Sequence, residues 1–176
     1  SRRGVLLKGS SALETLAHVR SVVFDKTGTL TRGAFAVAQV LPAPGFDRTA
    51  LLTLAAHAES ASTHPLAKAI VAAAPGAIDT AAVANLREHA GRGVSADIRG
   101  RTVLAGNAAL LRANAIEPPA DALTLPGSTI LIAIDGAYAG AIVAQDQPKE
   151  DAKAAIDGLH RAGVRKTVML TGDNEP

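Results

Sequence analysis

The sequence has no cysteine among its 176 residues. A disulfide framework and a thiolate metal site within the chain are therefore excluded. It has no tryptophan, one tyrosine and three phenylalanines, so aromatics make up only 2% of the residues. Proteins that bind nucleic acid stack bases on aromatic rings or present a basic stripe. Neither is present, because 18 Lys and Arg are interspersed with 16 Asp and Glu for a net charge of +2. Nucleic acid is not an expected partner. No apolar run approaches the roughly 20 residues that cross a bilayer, and no stretch reads as a signal peptide. A soluble piece is expected. What the sequence does have is 48% hydrophobic residues, enough for a packed core of Ala, Val, Leu and Ile. Such a core buries less area per residue than an aromatic one and predicts moderate stability.

The order of local patterns predicts an α/β chain with an α+β block set inside it. Ser11 to Glu14 reads as a capping box for a short helix through Leu13, Leu16 and Val19. The run Val22-Val23-Phe24 reads as a buried parallel strand. Gly33 marks a hinge, and a strand is expected over 36–41. Asp47 caps a helix through Leu51, Leu54 and Ala58, and a second helix starts near His64-Pro65, with proline early in its first turn. Strands follow over 83–89, 94–98 and 102–105, the last two joined by Arg99-Gly100. A helix over 108–115 precedes two strands joined by the hairpin signal Asp135-Gly136. A helix over 149–162 and a strand over 167–170 return the pattern to α/β.

The chemistry concentrates in Asp25-Lys26-Thr27-Gly28-Thr29-Leu30-Thr31. Open α/β sheets place reacting groups at the carboxyl ends of their strands, and Asp25 ends one. The small hydroxylated residues after it can surround a phosphate with amides and hydroxyls. A carboxylate nucleophile forming an aspartyl-phosphate is the chemistry this pattern suits. The structural alternative is a turn with an N-capping Asp.

The string DKTGTLT resembles the phosphorylation signature of the P-type ATPases. The resemblance implies a partial haloacid-dehalogenase-like phosphorylation domain over 1–33 and 145–176, with an inserted nucleotide-binding domain over 34–144. That inserted domain is an antiparallel sheet flanked by helices. It implies Asp25 as nucleophile toward ATP, Lys26 offsetting charge on the phosphoryl oxygens, and Asp25 with Thr27 facing Mg²⁺. Related phosphatases carry an acid two residues after the nucleophile. Thr27 cannot protonate a leaving group or activate water near neutral pH, which favours a lasting phosphoenzyme over a phosphatase. Thr171-Gly172-Asp173-Asn174 matches a second family motif, with Thr171 and Gly172 at the phosphoryl group and Asp173 near Mg²⁺. Asp146-Gln147-Pro148-Lys149 matches the family's return segment, with Lys149 where many members have Arg.

Glu59 with Ser62-Thr63-His64-Pro65 resembles the His-Pro motif of the heavy-metal-transporting subclass. Gly91-Arg92-Gly93 and Gly106-Asn107 resemble two further motifs, in the expected order. The resemblance puts Glu59 and His64 beside the adenine, gives Gly91, Gly93 and Gly106 close backbone approach, and has Asn107 fix the nucleotide. Read alone, the glycines suit a turn, Asn107 a helix cap and His64 a surface or capping role. His18, His57, His89 and His160 read as surface or packing residues. The Gly-Asp-Gly-x-Asn-Asp segment that completes the Mg²⁺ site in the family is absent from the sequence. The expected function is the ATP-binding and phosphorylation region of a membrane pump that couples hydrolysis to movement of a heavy-metal ion. Its partners would be that ion, held in membrane helices, and the pump's own actuator domain, with this region cytosolic. Hinge closure would deliver ATP to Asp25. The ion stays open, since its ligands lie outside this sequence. A soluble phosphatase of the same superfamily and a nucleotide-binding module without turnover remain as alternatives.

Overall fold

Three local devices set the helices and turns that position the site. Asp47 accepts a hydrogen bond from the Ala50 N–H at 2.8 Å and so caps the Ala/Leu-rich helix that follows. His64 does the same for the next helix, its Nδ1 accepting from the Leu66 N–H at 3.2 Å, with Pro65 at the first helical position. Arg99-Gly100 and Asp135-Gly136 both take the left-handed conformation that two-residue hairpins need. The structure, a computed structural model, describes residues 9–170.

Within them run α1 (Ser10–Ala17), β1 (Ser21–Asp25), β2 (Thr31–Pro42), α2 (Arg48–Ala58), α3 (Pro65–Ala73), β3 (Val83–His89), β4 (Gly93–Ile98) and β5 (Arg101–Gly106). After these come α4 (Ala108–Ala113), α5 (Ala120–Leu123), β6 (Ser128–Ile134), β7 (Ala137–Pro148), α6 (Ala152–Arg161) and β8 (Lys166–Leu170). Two compact units result, divided at 33/34 and at 147/148. Strands β2 and β7 carry the chain from one to the other.

In the smaller unit β1 and β8 pair in parallel, from Ser21 opposite Lys166 to Asp25 opposite Leu170. The parallel pairing is as expected, but the burial is not. Val23 is 57% exposed and Met169 53%, because a two-stranded sheet leaves a strand face uncovered. Helix α1 also differs from its reading. It starts one residue before Ser11, after Gly9, with no side-chain cap, and Leu13 and Leu16 stay exposed. Ser11 thus lies inside the first turn, where its carbonyl accepts from the Thr15 hydroxyl at 2.9 Å.

The larger unit is a six-stranded sheet in the order β2-β7-β6-β5-β4-β3. It is antiparallel from β7 to β3. Two clusters cover its faces. Ile130, Ile132 and Ile134 of β6 join Leu51, Ala55 and Ile70 of α2 and α3 on one face. Leu131 and Ala133 join Leu110, Leu111 and Ala122 of α4 and α5 on the other. Both faces of β6 are therefore dry, which accounts for its unbroken apolar sequence. Each fully buried Leu or Ile contributes roughly 1.5–3 kcal/mol. Strand β2 starts at Thr31, five residues before the expected start, and β7 continues to Pro148. The short α5 had no expected counterpart.

Gly93 and Gly106 are register partners in the β4–β5 ladder. A Cβ on Gly93 would run into the Ala105 carbonyl, and one on Gly106 into the Arg92 carbonyl and, at 2.8 Å, the Leu110 side chain. The requirement for glycine there is internal to the sheet. Gly106→Ala should destabilise the chain by about 1–3 kcal/mol, measured by urea unfolding. Gly76→Ala, where a Cβ meets nothing within 4 Å and φ is not positive, should change stability by no more than about 1 kcal/mol, in the favourable direction.

Candidate functional site

At one end of the large sheet, the α2–α3 connection crosses over the ends of β3, β4, β5 and β6. The hollow beneath it has a volume of about 320 Å³, the size of a small-molecule site. Glu59, His64, Gly91, Gly93, Gly106 and Asn107 all line it. Those six residues are spread over nearly 50 positions of sequence, and the fold brings all of them to one cavity. A second hollow of about 350 Å³ is lined by residues such as Pro44, Pro119 and Tyr138 and holds none of the expected site residues.

Five of the six have a definable local role. Asn107 caps α4, its Oδ1 accepting from the Leu110 N–H at 3.1 Å. Its Nδ2 donates to the Gly91 carbonyl at 3.0 Å, and its own N–H donates to the Arg92 carbonyl at 2.8 Å. The amide therefore ties the β3–β4 turn to the start of α4. His64 uses Nδ1 as the α3 cap, which leaves Nε2 as the N–H of the neutral ring. Gly91 turns the chain with φ +67°.

Glu59 is the exception among them. It is 6% exposed, yet its carboxyl has no hydrogen bond or ion pair among the described residues. Burial, with repulsion from Glu88 as the lesser cause, pushes it up to about 7. A carboxyl raised this way is a frequent mark of a functional site.

Several lining residues were not expected from sequence. Glu88 and His89, at the end of β3, line the cavity together with Arg92 and Thr129. His89 is half-buried with its Nε2 2.9 Å from the Ser95 hydroxyl, in keeping with its reading as a surface or packing residue, and it also lines the cavity. The signal was available, since Glu88-His89 runs directly into the glycine turn. The Thr129 Oγ1 is buried without a hydrogen-bond partner among the described residues. His57 does have the packing role, with Nδ1 2.7 Å from the Thr53 carbonyl and Nε2 accepting from the Asp79 N–H at 3.2 Å.

In the smaller unit, Asp25 ends β1 and is exposed. The loop after it is held from inside. Thr31 is buried, its hydroxyl accepting from the Gly28 N–H at 3.0 Å and donating to the Lys26 carbonyl at 3.0 Å. Lys149 holds it from the return segment, its Nζ donating to the Gly28 carbonyl at 3.0 Å and its N–H to the Leu30 carbonyl at 2.9 Å. Gly28 supplies a φ of +75° that the turn requires. Thr27 is exposed beside Asp25, with Lys26 half-buried. Thr171, Gly172 and Asp173 lie outside the described residues. Among the described residues no cluster of three His, Asp or Glu is placed to hold a metal, and no helix is long and apolar enough to cross a membrane.

A family model of haloacid dehalogenase-like hydrolases matches residues 19–176. The chain belongs to that family. Within these hydrolases it is similar to heavy-metal transporters. It is 48% identical to the zinc-transporting ATPase of Synechocystis sp. over 175 residues, covering 99% of this chain and 24% of that protein. It is 42% identical to the cadmium, zinc and cobalt-transporting ATPase of Bacillus subtilis, covering 99% and 25%. The crystal structure of a zinc-transporting PIB-type ATPase in the E2.Pi state superposes with a TM-score of 0.81 at 41% identity, covering 98% of this chain and 29% of that one. The chain thus spans about a quarter of the length of the curated relatives it matches, and corresponds to their haloacid dehalogenase-like catalytic region.

The raised Glu59 has a consequence for stability that needs no ligand. The folded state holds this proton more tightly than the unfolded chain, so its contribution is full below pH 4.5 and is lost as pH rises to about 7. At roughly 1.4 kcal/mol per pH unit, the loss is on the order of 3 kcal/mol. Glu59→Gln removes the titration. The variant should match the native chain near pH 4.5 and exceed it in urea-unfolding stability above pH 7.5.

Proposed function

We propose that this chain is the ATP-binding and phosphorylation region of a heavy-metal-translocating P-type ATPase. The observation that carries the reading is the meeting of Glu59, His64, Gly91, Gly93, Gly106 and Asn107 around one cavity. In this reading the larger unit binds the nucleotide and the smaller one is phosphorylated. The cavity fits a nucleobase in its chemistry: an apolar floor from Val94 and Ile130, and a carboxyl without a protein partner. Asn107 acts on the nucleotide through the turn it secures. Mutating it would move Gly91 as well as the start of α4.

At the other site the Asp25 carboxylate attacks the γ-phosphorus of ATP. A carboxylate O–P bond forms, the bond to the β,γ-bridging oxygen breaks, and ADP leaves. Lys26 and the loop amides stabilise the developing charge. Lys149 acts by fixing the loop, its ammonium donating to the Gly28 carbonyl. Thr27 supplies no acid or base, so the aspartyl-phosphate persists long enough to be coupled to transport. Asp25 with Thr27 would hold Mg²⁺, which takes one or two protein oxygens beside phosphates and waters and neutralises phosphate charge. The parent would be a membrane pump, with this region cytosolic. The transported heavy-metal ion and the actuator domain would be its partners.

In the full-length pump, acid-stable labelling from γ-labelled ATP should appear in the native protein and vanish in Asp25→Asn. Persistent labelling of that variant would move the nucleophile elsewhere. For the nucleotide pocket, the test is an amide NMR titration of this chain with a non-hydrolysable ATP analogue. Shifts should cluster at the six cavity residues, and a dispersed spectrum without shifts would overturn the assignment. His64→Asn keeps a good helix cap and removes the imidazole. It should weaken the analogue at least tenfold while leaving unfolding stability within about 0.5 kcal/mol. His64→Gln should lose both the affinity and the cap.

A further inference from the structure

Glu59 and Glu88 both line the cavity, one from the end of α2 and the other from β3. Glu59 is buried without a hydrogen bond or counter-ion among the described residues, whereas Glu88 is exposed. The other charged or titratable groups lining the hollow are His64, His89 and Arg92. His64 Nδ1 is engaged by the Leu66 N–H, His89 Nε2 meets the Ser95 hydroxyl, and Arg92 is exposed. None of them pairs with Glu59, so the neighbouring charge it senses most is the like charge of Glu88.

A carboxyl can read a base edge in two ways. Protonated, it donates one hydrogen bond and accepts another. That matches adenine, whose Watson–Crick edge offers the N1 acceptor beside the 6-amino donor. Ionised, it only accepts, which matches guanine, with two adjacent N–H donors at N1 and the 2-amino group. It also repels the N1 lone pair of adenine. The protonation state of one buried carboxyl thus chooses between the two purines.

We propose that Glu88 is a specificity-determining residue of this pocket: its negative charge keeps the proton on Glu59, and the protonated Glu59 selects adenine over guanine. The proposal rests on the reading of the cavity as the nucleotide site. It makes Glu88 a positioning residue that acts through a proton and not through contact with the base. The pull of burial alone acts in the same direction and is the larger cause, so Glu88 tunes a state that burial sets up. No covalent step is involved. A proton taken up at Glu59 comes from solvent and returns to it on release.

The test is calorimetric titration of this chain between pH 5.5 and 8.5 with the β,γ-imido analogues of ATP and GTP. The ratio of the two affinities is the readout, because titration of the phosphates cancels in it. In the native chain the preference for adenine should fall as pH rises through 7, by up to tenfold per pH unit, because the form that reads adenine is lost as the form that reads guanine is gained. In Glu88→Gln the fall should begin at lower pH, so that at pH 7 the preference is several-fold smaller. In Glu59→Gln, whose amide both donates and accepts without titrating, the ratio should not vary with pH. A ratio independent of pH in the native chain, or the same profile in Glu88→Gln, would overturn the proposal. Carbon-13 NMR titration of the Glu59 carboxyl without ligand separates the two levels of the argument. If its midpoint does not move in Glu88→Gln while both analogues bind, the proton argument is wrong and the nucleotide reading stands. If the midpoint moves but neither analogue binds, the nucleotide reading fails and takes the specificity proposal with it.

Discussion

Gly93 and Gly106 face each other across the β4–β5 ladder with no space for a side chain on either. Much of the cavity depends on that contact. With the two backbones this close, the turn at 90–92 folds back over the end of β5, and the first residue after β5 is within reach of it. That residue is Asn107, whose amide bonds the Gly91 carbonyl while its Oδ1 starts α4. One side chain thereby fixes both a turn and a helix start on the same rim. The opposite rim comes from α2 and α3, and His64 begins α3 as Asn107 begins α4. The cavity is a place where helix caps and strand ends meet. Its shape is set by short-range chemistry that does not need a ligand.

The loop after Asp25 follows a similar logic with different parts. A flexible glycine-containing turn beside a nucleophile would have to be ordered at each turnover, at a cost in conformational entropy. Here the Thr31 hydroxyl closes the loop on itself and Lys149 clamps it from a segment more than a hundred residues away. Pre-ordering of this kind is what electrostatic catalysis requires. The Lys-for-Arg difference in the return segment then matters little for the loop, because a single ammonium suffices for one carbonyl. A guanidinium fork would be needed only for a bidentate partner.

What was legible in the sequence was mostly local. Asp47, His64-Pro65 and the two X-Gly hairpins are decided by residues within four positions of each other, and they came out as read. The family motifs gave the six residues that share the cavity, although their spacing does not by itself reveal a pocket. Thr129 was not legible, because its place depends on the order β6-β5-β4-β3, a non-local property, whereas Glu88 and His89 had a local signal in the glycine turn that follows them. The capping box at Ser11 shows the converse failure. A good local signal lost to a helix start one residue earlier, where no tertiary burial of α1 fixed the register. The exposure of Val23 has a similar origin, since its apolar neighbours predict cover that a two-strand sheet does not provide.

His57 and Glu59 separate a structural polar residue from one held for something else. They sit two positions apart at the end of the same helix, and both are almost fully buried. His57 has partners at both ring nitrogens, so its burial leaves nothing unsatisfied. Glu59 has none among the described residues, and at a helix C-terminus the macrodipole would add to the cost of ionising it. A position that only needed bulk would hold glutamine or leucine at lower free energy. Stability given up at a residue facing a cavity is characteristic of a site whose missing partner is a ligand. Burial alone would have ranked the two residues equally. The partner count tells them apart, and it points to the carboxyl.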